Sequence, residues 1–256
     1  MSTAIFATPT KEILIIFIIL CRISGIFFFV PPFSDTNIRP IIKAVIAISI
    51  ALMIPNENIR TYITNISHNY LALIFTIIVE LAIGLTLGMI VKILTSTVQI
   101  AGLAIASQIG LSTGGIFDQS QQVQNSTLGL LLSLLTTVVI LKSGLHIKII
   151  SGIVNSYDRI LIGSFFEHYN DYTTLIISAV TKMWATGIQI SLPFILINIS
   201  MMLGAGILAK LMPQLQIFFL MLPLQIAVGI ALFAITLSGI IFYVLDFLYN
   251  ELSIIF

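Results

Sequence analysis

Long apolar runs separated by short polar breaks dominate the chain. A helix needs about 20 mostly apolar residues to cross a bilayer. By that measure the sequence predicts six apolar blocks, at residues 13–30, 38–54, 71–106, 127–153, 174–208 and 217–248. The blocks do not alternate polar and apolar positions, as the strands of a membrane barrel do. The pattern therefore predicts an all-α membrane protein of about six long apolar helices, including kinked helical hairpins.

Proline, glycine and polar residues in the breaks predict where the helices end. The breaks are Pro31-Pro32, Pro55-Asn56, the Gly- and Gln-rich residues 110–124, the polar residues 167–172 and Met212-Pro213-Gln214. Pro213 lacks a backbone donor and clashes with the preceding turn. A helical hairpin with Lys210, Pro213 and Gln214 at its tip is predicted, and a kink within one long helix is the alternative.

The third block carries two unusual features. As one helix it would measure about 54 Å, against a hydrocarbon thickness of ~30 Å, so it bends or extends beyond the lipid. Small and polar side chains also share one face of it: Glu80, Gly84, Gly88, Thr95, Gln99, Gly102 and Ala106. Gly84 and Gly88 have the small-xxx-small spacing of close helix pairs. The stripe therefore favours helix packing over an aqueous lining.

Composition agrees with a membrane environment, because 58% of the 256 residues are hydrophobic and only 8% are charged. The net charge of +1 supplies no large basic surface, so nucleic acid is not a predicted partner. Cys21 is the single cysteine, which excludes an internal disulfide and a multi-cysteine metal cluster.

Charged side chains nevertheless fall inside the apolar blocks: Arg22, Lys43, Glu80, Lys92, Lys142, Lys182, Lys210 and Asp246. A charge at the centre of a membrane helix costs roughly 2.5–3.5 kcal/mol. These groups must snorkel to the interface, pair with one another, or face protein or water. Arg22 and Glu80 lie deepest in their blocks. A buried role is predicted for both, and Lys43 is predicted to join them among the buried charges. Contact between Arg22 and Glu80 is a testable pairing.

No constellation of catalytic or metal-binding residues stands out in the sequence. His68, His146 and His168 lie at or beyond block ends, and none is four residues from another histidine. Glu80 and Asp246 leave open an intramembrane enzyme or proton relay. We predict a non-enzymatic chain without catalytic residues, cofactor or metal.

Residues 108–124 form a glycine-rich segment between two apolar blocks. Gly110, Gly114 and Gly115 permit positive φ and weaken helix. Non-helical backbone is tolerated at membrane depth only where protein or a water-filled cavity surrounds it. The segment is therefore either an ordinary exposed loop or a re-entrant gate.

From about residue 20 to residue 248 the sequence resembles the FliR family of flagellar export-gate subunits, called SctT in injectisomes. The matching positions are Arg22, Gly25, Pro32-Phe33, Pro40, Lys43, Glu80, Gly84, Gly88, Gly102, Gln108 to Leu111, Phe117-Asp118, Gly144, His146, Leu192-Pro193, Asn198, Gly204, Lys210, Pro213 to Leu215, Phe218, Pro223 to Gln225 and Gly229. Gln119, Lys210 and Met221-Leu222 depart from the family's usual Pro, Arg and Gly-Phe.

The resemblance implies a subunit of the flagellar type III export gate in the bacterial inner membrane, at the basal body. Its implied partners are the P and Q subunits, the B subunit, the rod or needle base, membrane lipid and unfolded export substrates. Residues 1–165 would be a P-like part and residues 166–256 a Q-like hairpin. The choice between flagellum and injectisome stays open.

The resemblance also implies a plug that closes the export channel. Carried over, it comprises Gln108, Ile109, Gly110, Leu111, Gly114, Gly115, Ile116 and Phe117. A secondary transporter for a small solute, with Arg22 and Glu80 at the membrane midplane, is the alternative function.

Overall fold

The computed structural model describes residues 3–31, 33–34, 38–54, 61, 70–111, 127–160, 162, 169–212, 214 and 216–255. Within these ranges seven helices have defined bounds: α1 Thr3–Phe29, α2 Pro40–Met53, α3 Tyr70–Ile109, α4 Thr127–Lys142, α5 Leu145–Arg159, α6 Tyr169–Leu211 and α7 Ile217–Ile255. No strand occurs in the same ranges. The predicted all-α class is confirmed.

The helices follow the apolar blocks, apart from longer ends, such as the start of α1 at Thr3, and one break. Residues 127–153, predicted as one block, belong to two helices, because the chain breaks at Ser143 and Gly144. Gly144 has φ +75°, a conformation that other residues rarely adopt. Four helices are long and apolar enough to cross a membrane, and the broken pair α4 and α5 would make five.

Three helices are far longer than the thickness of a bilayer. The 40 residues of α3 would span about 60 Å, and α6 and α7 have 43 and 39 residues. Only 11% of the apolar span of α6 and 22% of that of α7 are buried within the chain. A helix that is apolar all round and so little covered by its own chain must face lipid or other polypeptides.

The chain forms two compact units, each assembled from separate segments. The first unit comprises Met1–Ile93, Leu145–Ala179 and Leu252–Phe256, and the second comprises Leu94–Gly144 and Val180–Glu251. The predicted division into residues 1–165 and 166–256 has a different basis, the resemblance, and stays a prediction.

Close contact between α1 and α3 holds the first unit together. A Cβ on Gly84 would collide with the backbone oxygen of Arg22, and one on Gly88 would lie 2.8 Å from the backbone oxygen of Ile26. A Cβ on Gly25 would lie 2.8 Å from the backbone nitrogen of Leu85. The two helix backbones therefore touch at glycines, as the small-xxx-small spacing predicts.

In the second unit α6 and α7 form an antiparallel hairpin. Three hydrogen bonds join the two helices: Gln225 to Asn198, Tyr243 to Gln189 and Lys182 to Glu251. The partners are 27, 54 and 69 positions apart in sequence, and residues 212–216 lie between the members of each pair. The outermost contact is the ion pair of Lys182 with Glu251, 2.7 Å long. The predicted hairpin is thus present, and the alternative of one kinked helix is excluded because α6 ends at Leu211.

Candidate functional site

A buried ion pair joins α1 to α3 in the first unit. Arg22 Nε donates to Glu80 Oε2 over 2.6 Å, and Arg22 Nη2 donates to Glu80 Oε1 over 3.0 Å. Both side chains are completely buried, with 0% exposure. The fork of the guanidinium matches the two carboxylate oxygens, which is the strongest geometry for such a pair. The two charges predicted to be buried are therefore in direct contact.

The same guanidinium closes the carboxyl end of α5. Arg22 Nη1 donates to the backbone oxygen of Ser156 over 3.2 Å, and Nη2 donates to that of Ile160 over 3.4 Å. The last carbonyls of a helix lack partners within the helix and carry partial negative charge. The Ser156 oxygen also accepts from the Ile160 amide over 2.9 Å, so Arg22 is its second donor. Arg22 thereby joins α5 to the pair of α1 and α3.

An aromatic ring completes the surroundings of Arg22. The guanidinium carbon lies 4.1 Å from the centre of the Tyr157 ring, and the Tyr157 hydroxyl donates to the backbone oxygen of Ile19 over 3.1 Å. Stacking on the ring face stabilises the cation without water. Protein groups thus pair with both the charge and the donors of Arg22. The cluster of Arg22, Glu80, Ser156 and Tyr157 therefore has the properties of a structural contact that holds helices together.

The remaining charges in the apolar blocks are less buried. Lys43 was expected to be buried with Arg22 and Glu80, but it is only half-buried, because most of the short helix α2 is exposed. Lys92 is also half-buried, while Lys142, Lys210 and Asp246 are exposed. Exposed charges on apolar helices require lipid headgroups, water or another polypeptide beside them.

Three amide side chains meet at the carboxyl end of α3 in the second unit; we call Gln108, Asn198 and Gln225 the amide cluster. Gln225 Nε2 donates to the backbone oxygen of Gln108 over 2.6 Å and to Asn198 Oδ1 over 3.0 Å. Asn198 Nδ2 donates to Gln108 Oε1 over 2.7 Å. One carbonyl that α3 leaves unpaired is thus satisfied by α7, and the end of α3 is tied to the hairpin.

Apolar packing reinforces this attachment. Ile109, the last residue of α3, is buried, and a Cβ on Gly229 would lie only 2.5 Å from its Cγ1. Gly110 follows with φ +87°, and its amide donates to the backbone oxygen of Ser107 over 3.3 Å. This is the usual way in which glycine ends a helix and redirects the chain. The segment after α3 therefore starts from a fixed point.

Comparison with known protein families shows which family the chain belongs to. The family described as bacterial export proteins, family 1, matches residues 13–250. The chain belongs to this family.

Individual relatives of this export family are similar to the chain over most of its length. The flagellar biosynthetic protein FliR of Caulobacter vibrioides is 27% identical over 251 residues, covering 98% of each chain. FliR of Bacillus subtilis is 28% identical over 225 residues, covering 87% of this chain and 86% of its own. FliR of Escherichia coli is 28% identical over 155 residues, or 60% of this chain and 59% of its own.

The remaining residues predicted for this export protein are only partly described. Gly114, Gly115, Ile116 and Phe117 lie outside the described residues, as does Pro213 at the hairpin tip. Leu111 is exposed, and so are Lys210 and Gln214 beside the tip. The plug assignment therefore stays a prediction.

Sequence reasoning missed several partners in both clusters of the export protein. Ser156, Tyr157 and Ile160 contact Arg22, but two of these contacts use backbone oxygens that any residue would supply. Asn198 and Gln225 were noted only as family positions. An amide within an apolar membrane helix needs a polar partner, and that signal would have marked them as a pair.

Replacing Gln225 with leucine is expected to loosen the end of α3. The change removes two hydrogen bonds and leaves acceptors on Gln108 and Asn198 unsatisfied, at a cost of about 1–3 kcal/mol. Hydrogen exchange of the last turn of α3 should accelerate by about tenfold or more. Gln189→Leu, which removes the partner of Tyr243 elsewhere in the hairpin, is the matched control. Equal exchange in both variants would contradict the role of the amide cluster.

Proposed function

We propose that the chain is a non-enzymatic subunit of the flagellar type III export gate in the bacterial inner membrane. It helps to form and close a channel for unfolded proteins, together with P and Q subunits. Family membership over residues 13–250 carries the proposal. The printed names of the relatives, flagellar biosynthetic protein FliR, support the flagellar system.

The uncovered surface of α6 and α7 supports a role within an assembly. Large apolar side chains such as Trp184, Ile207 and Phe242 are exposed on this hairpin. Asp246 is exposed on the same apolar helix as Phe242. Lipid alone would leave such a carboxylate poorly solvated at membrane depth. Neighbouring helices of P and Q subunits would cover both kinds of group.

The amide cluster supports a gate at the segment after α3. A closing segment must be anchored at its base so that it returns to one position. Ile109 and Gln108 supply that anchor on α7 and α6, and Gly110 turns the chain. Leu111, Ile116 and Phe117 then supply the apolar bulk of the plug in this proposal.

Purification from membranes tests the assembly directly. The chain should be co-expressed with P and Q subunits, isolated through a tag on the chain alone, and weighed by native mass spectrometry. The proposal predicts one complex containing all three kinds of subunit. A monomer or symmetric dimer that takes up a small solute after reconstitution would instead support the transporter.

Gly114→Asp and Gly115→Asp are expected to damage export. Each adds bulk and charge where the glycine-rich sequence predicts tight backbone turns. Swimming motility and the amount of secreted flagellar protein should both fall, while the complex still assembles. Ser120→Asp, which adds the same charge within the segment but beyond the predicted plug, is the control. Wild-type secretion by both glycine variants would contradict the plug assignment.

A further inference from the structure

Helix α5 has a polar outer face, although it belongs to a unit of strongly apolar helices. It is more clearly amphipathic than α1 and α3, on which it packs. Ile147, Ser151, Asn155 and Arg159 are exposed and follow one another at intervals of four, and three of these four residues are polar. The opposite face of α5 is buried and largely apolar. A helix of this kind separates a protein core from polar surroundings.

Contacts with α1 fix the depth of this polar face. The hydroxyl of Tyr157 donates to the backbone oxygen of Ile19 over 3.1 Å, and Arg22 donates to two carbonyls at the end of α5. Arg22 lies about 15 Å from one end of the apolar span of α1 and about 10 Å from the other. Asn155 and Arg159 are therefore level with the middle of a helix that is long enough to cross a membrane.

At the same level the outer faces of α1 and α3 are apolar. Phe17 and Phe28 of α1 are exposed, one on each side of the ion pair along the helix. Ile78 and Leu81, close to the glutamate of the ion pair on α3, are exposed as well. An asparagine amide and a guanidinium need hydrogen-bonding surroundings, which lipid tails and apolar helices do not provide. The first unit thus presents apolar side chains on α1 and α3 but polar side chains on α5 at one depth, as the wall of an aqueous path does.

We propose that the outer face of α5 lines the water-filled path of exported proteins, with Ser151, Asn155 and Arg159 in contact with water and with the passing polypeptide. The inference rests on the proposed export function. Polar side chains at membrane depth occur where they border a water-filled cavity or other polar groups. Hydroxyl and amide groups exchange hydrogen bonds with water and with any peptide backbone. Such a wall suits an unfolded polypeptide of any sequence.

Thiol accessibility in the complex with P and Q subunits tests the assignment. Cys21, the single cysteine of the chain, is replaced with serine, and cysteine is then placed at Asn155 or Ser151. Phe17→Cys, on the apolar outer face of α1, is the matched control. In membranes open on both sides, a small charged methanethiosulfonate should modify Asn155→Cys and Ser151→Cys at least about tenfold faster than Phe17→Cys, because it reacts with the thiolate that forms in water. A rate for Asn155→Cys no higher than that for Phe17→Cys would overturn the proposal.

A stalled substrate separates the export path from bulk water. An export substrate fused to a stably folded protein halts within the complex and fills the path. It should slow the modification of Asn155→Cys by about fivefold or more, because it excludes the reagent from the thiol, and should leave that of Phe17→Cys unchanged. A photoreactive phenylalanine in place of Asn155 should also crosslink to the stalled substrate. Fast modification that the substrate leaves unchanged, without a crosslink, would mean that α5 borders bulk water and would overturn the proposal.

The same experiment distinguishes failure of this inference from failure of the export function. A complex that retains no stalled substrate would contradict the export function, and the assignment of α5 would fall with it. A complex that retains the substrate while Asn155→Cys reacts as before would contradict the assignment of α5 alone.

Discussion

Arg22→Ala is expected to lower the free energy of unfolding by about 3–5 kcal/mol, because it leaves a carboxylate buried without its partner. Glu80 is completely buried and receives two hydrogen bonds from the guanidinium. The backbone oxygens of Ser156 and Ile160 would also lose donors. Thermal melting of the purified chain in detergent measures the effect. Arg159→Ala, at an exposed arginine at the end of α5, should melt as the wild type does.

A double substitution separates the charge from the packing. Arg22→Met with Glu80→Met removes both buried charges and should recover most of the stability lost by Arg22→Ala. Arg22→Lys should recover less, because one ammonium cannot reproduce the planar fork. If the melting temperature of Arg22→Ala equals that of the wild type, or if the double variant is the least stable of the set, the ion pair does not hold these helices together.

Gly84→Ala is expected to separate α1 from α3. The added Cβ would collide with the backbone oxygen of Arg22 and lie 2.9 Å from its carbonyl carbon. Backbone atoms cannot rotate away as a side chain can, so the helices must move and stretch the ion pair between them. Overpacking of this kind costs about 1–3 kcal/mol.

Gly239→Ala is the matched control for Gly84→Ala. Gly239 lies within α7, and a Cβ there would meet nothing within 4 Å. Alanine is the better helix former, by up to about 1 kcal/mol. The two substitutions should therefore change the melting temperature of the isolated chain in opposite directions. A rise in both would show that the contact between α1 and α3 tolerates a methyl group.

The sequence predicted the elements well because lipid imposes a simple rule. Unpaired backbone groups are costly in a bilayer, so long apolar runs must be helical despite their many isoleucines. The break at Gly144 was the main departure in the helices. A single glycine within an apolar run does not reveal whether it adopts positive φ or packs against a neighbour, as Gly84 does.

Contacts between distant segments were harder to predict than the residues that make them. Arg22 and Glu80 were predicted to be buried because they lie deep in their apolar blocks, and the structure places them in contact. Depth could not reveal that Arg22 also closes α5, because that contact depends on where the helix ends. Lys43 also lies inside its block, but α2 leaves it half-buried. Burial depends on which face of a helix is covered, and one sequence does not fix that.

Ion permeability of the assembled complex tests the central claim most directly. Residues 112–117 would be deleted, and the complex with P and Q subunits reconstituted into sealed vesicles. If the segment anchored by the amide cluster closes the channel, its loss should raise permeability to small ions by at least about tenfold without disrupting assembly. An intact complex that stays as impermeable as the wild type would contradict the account.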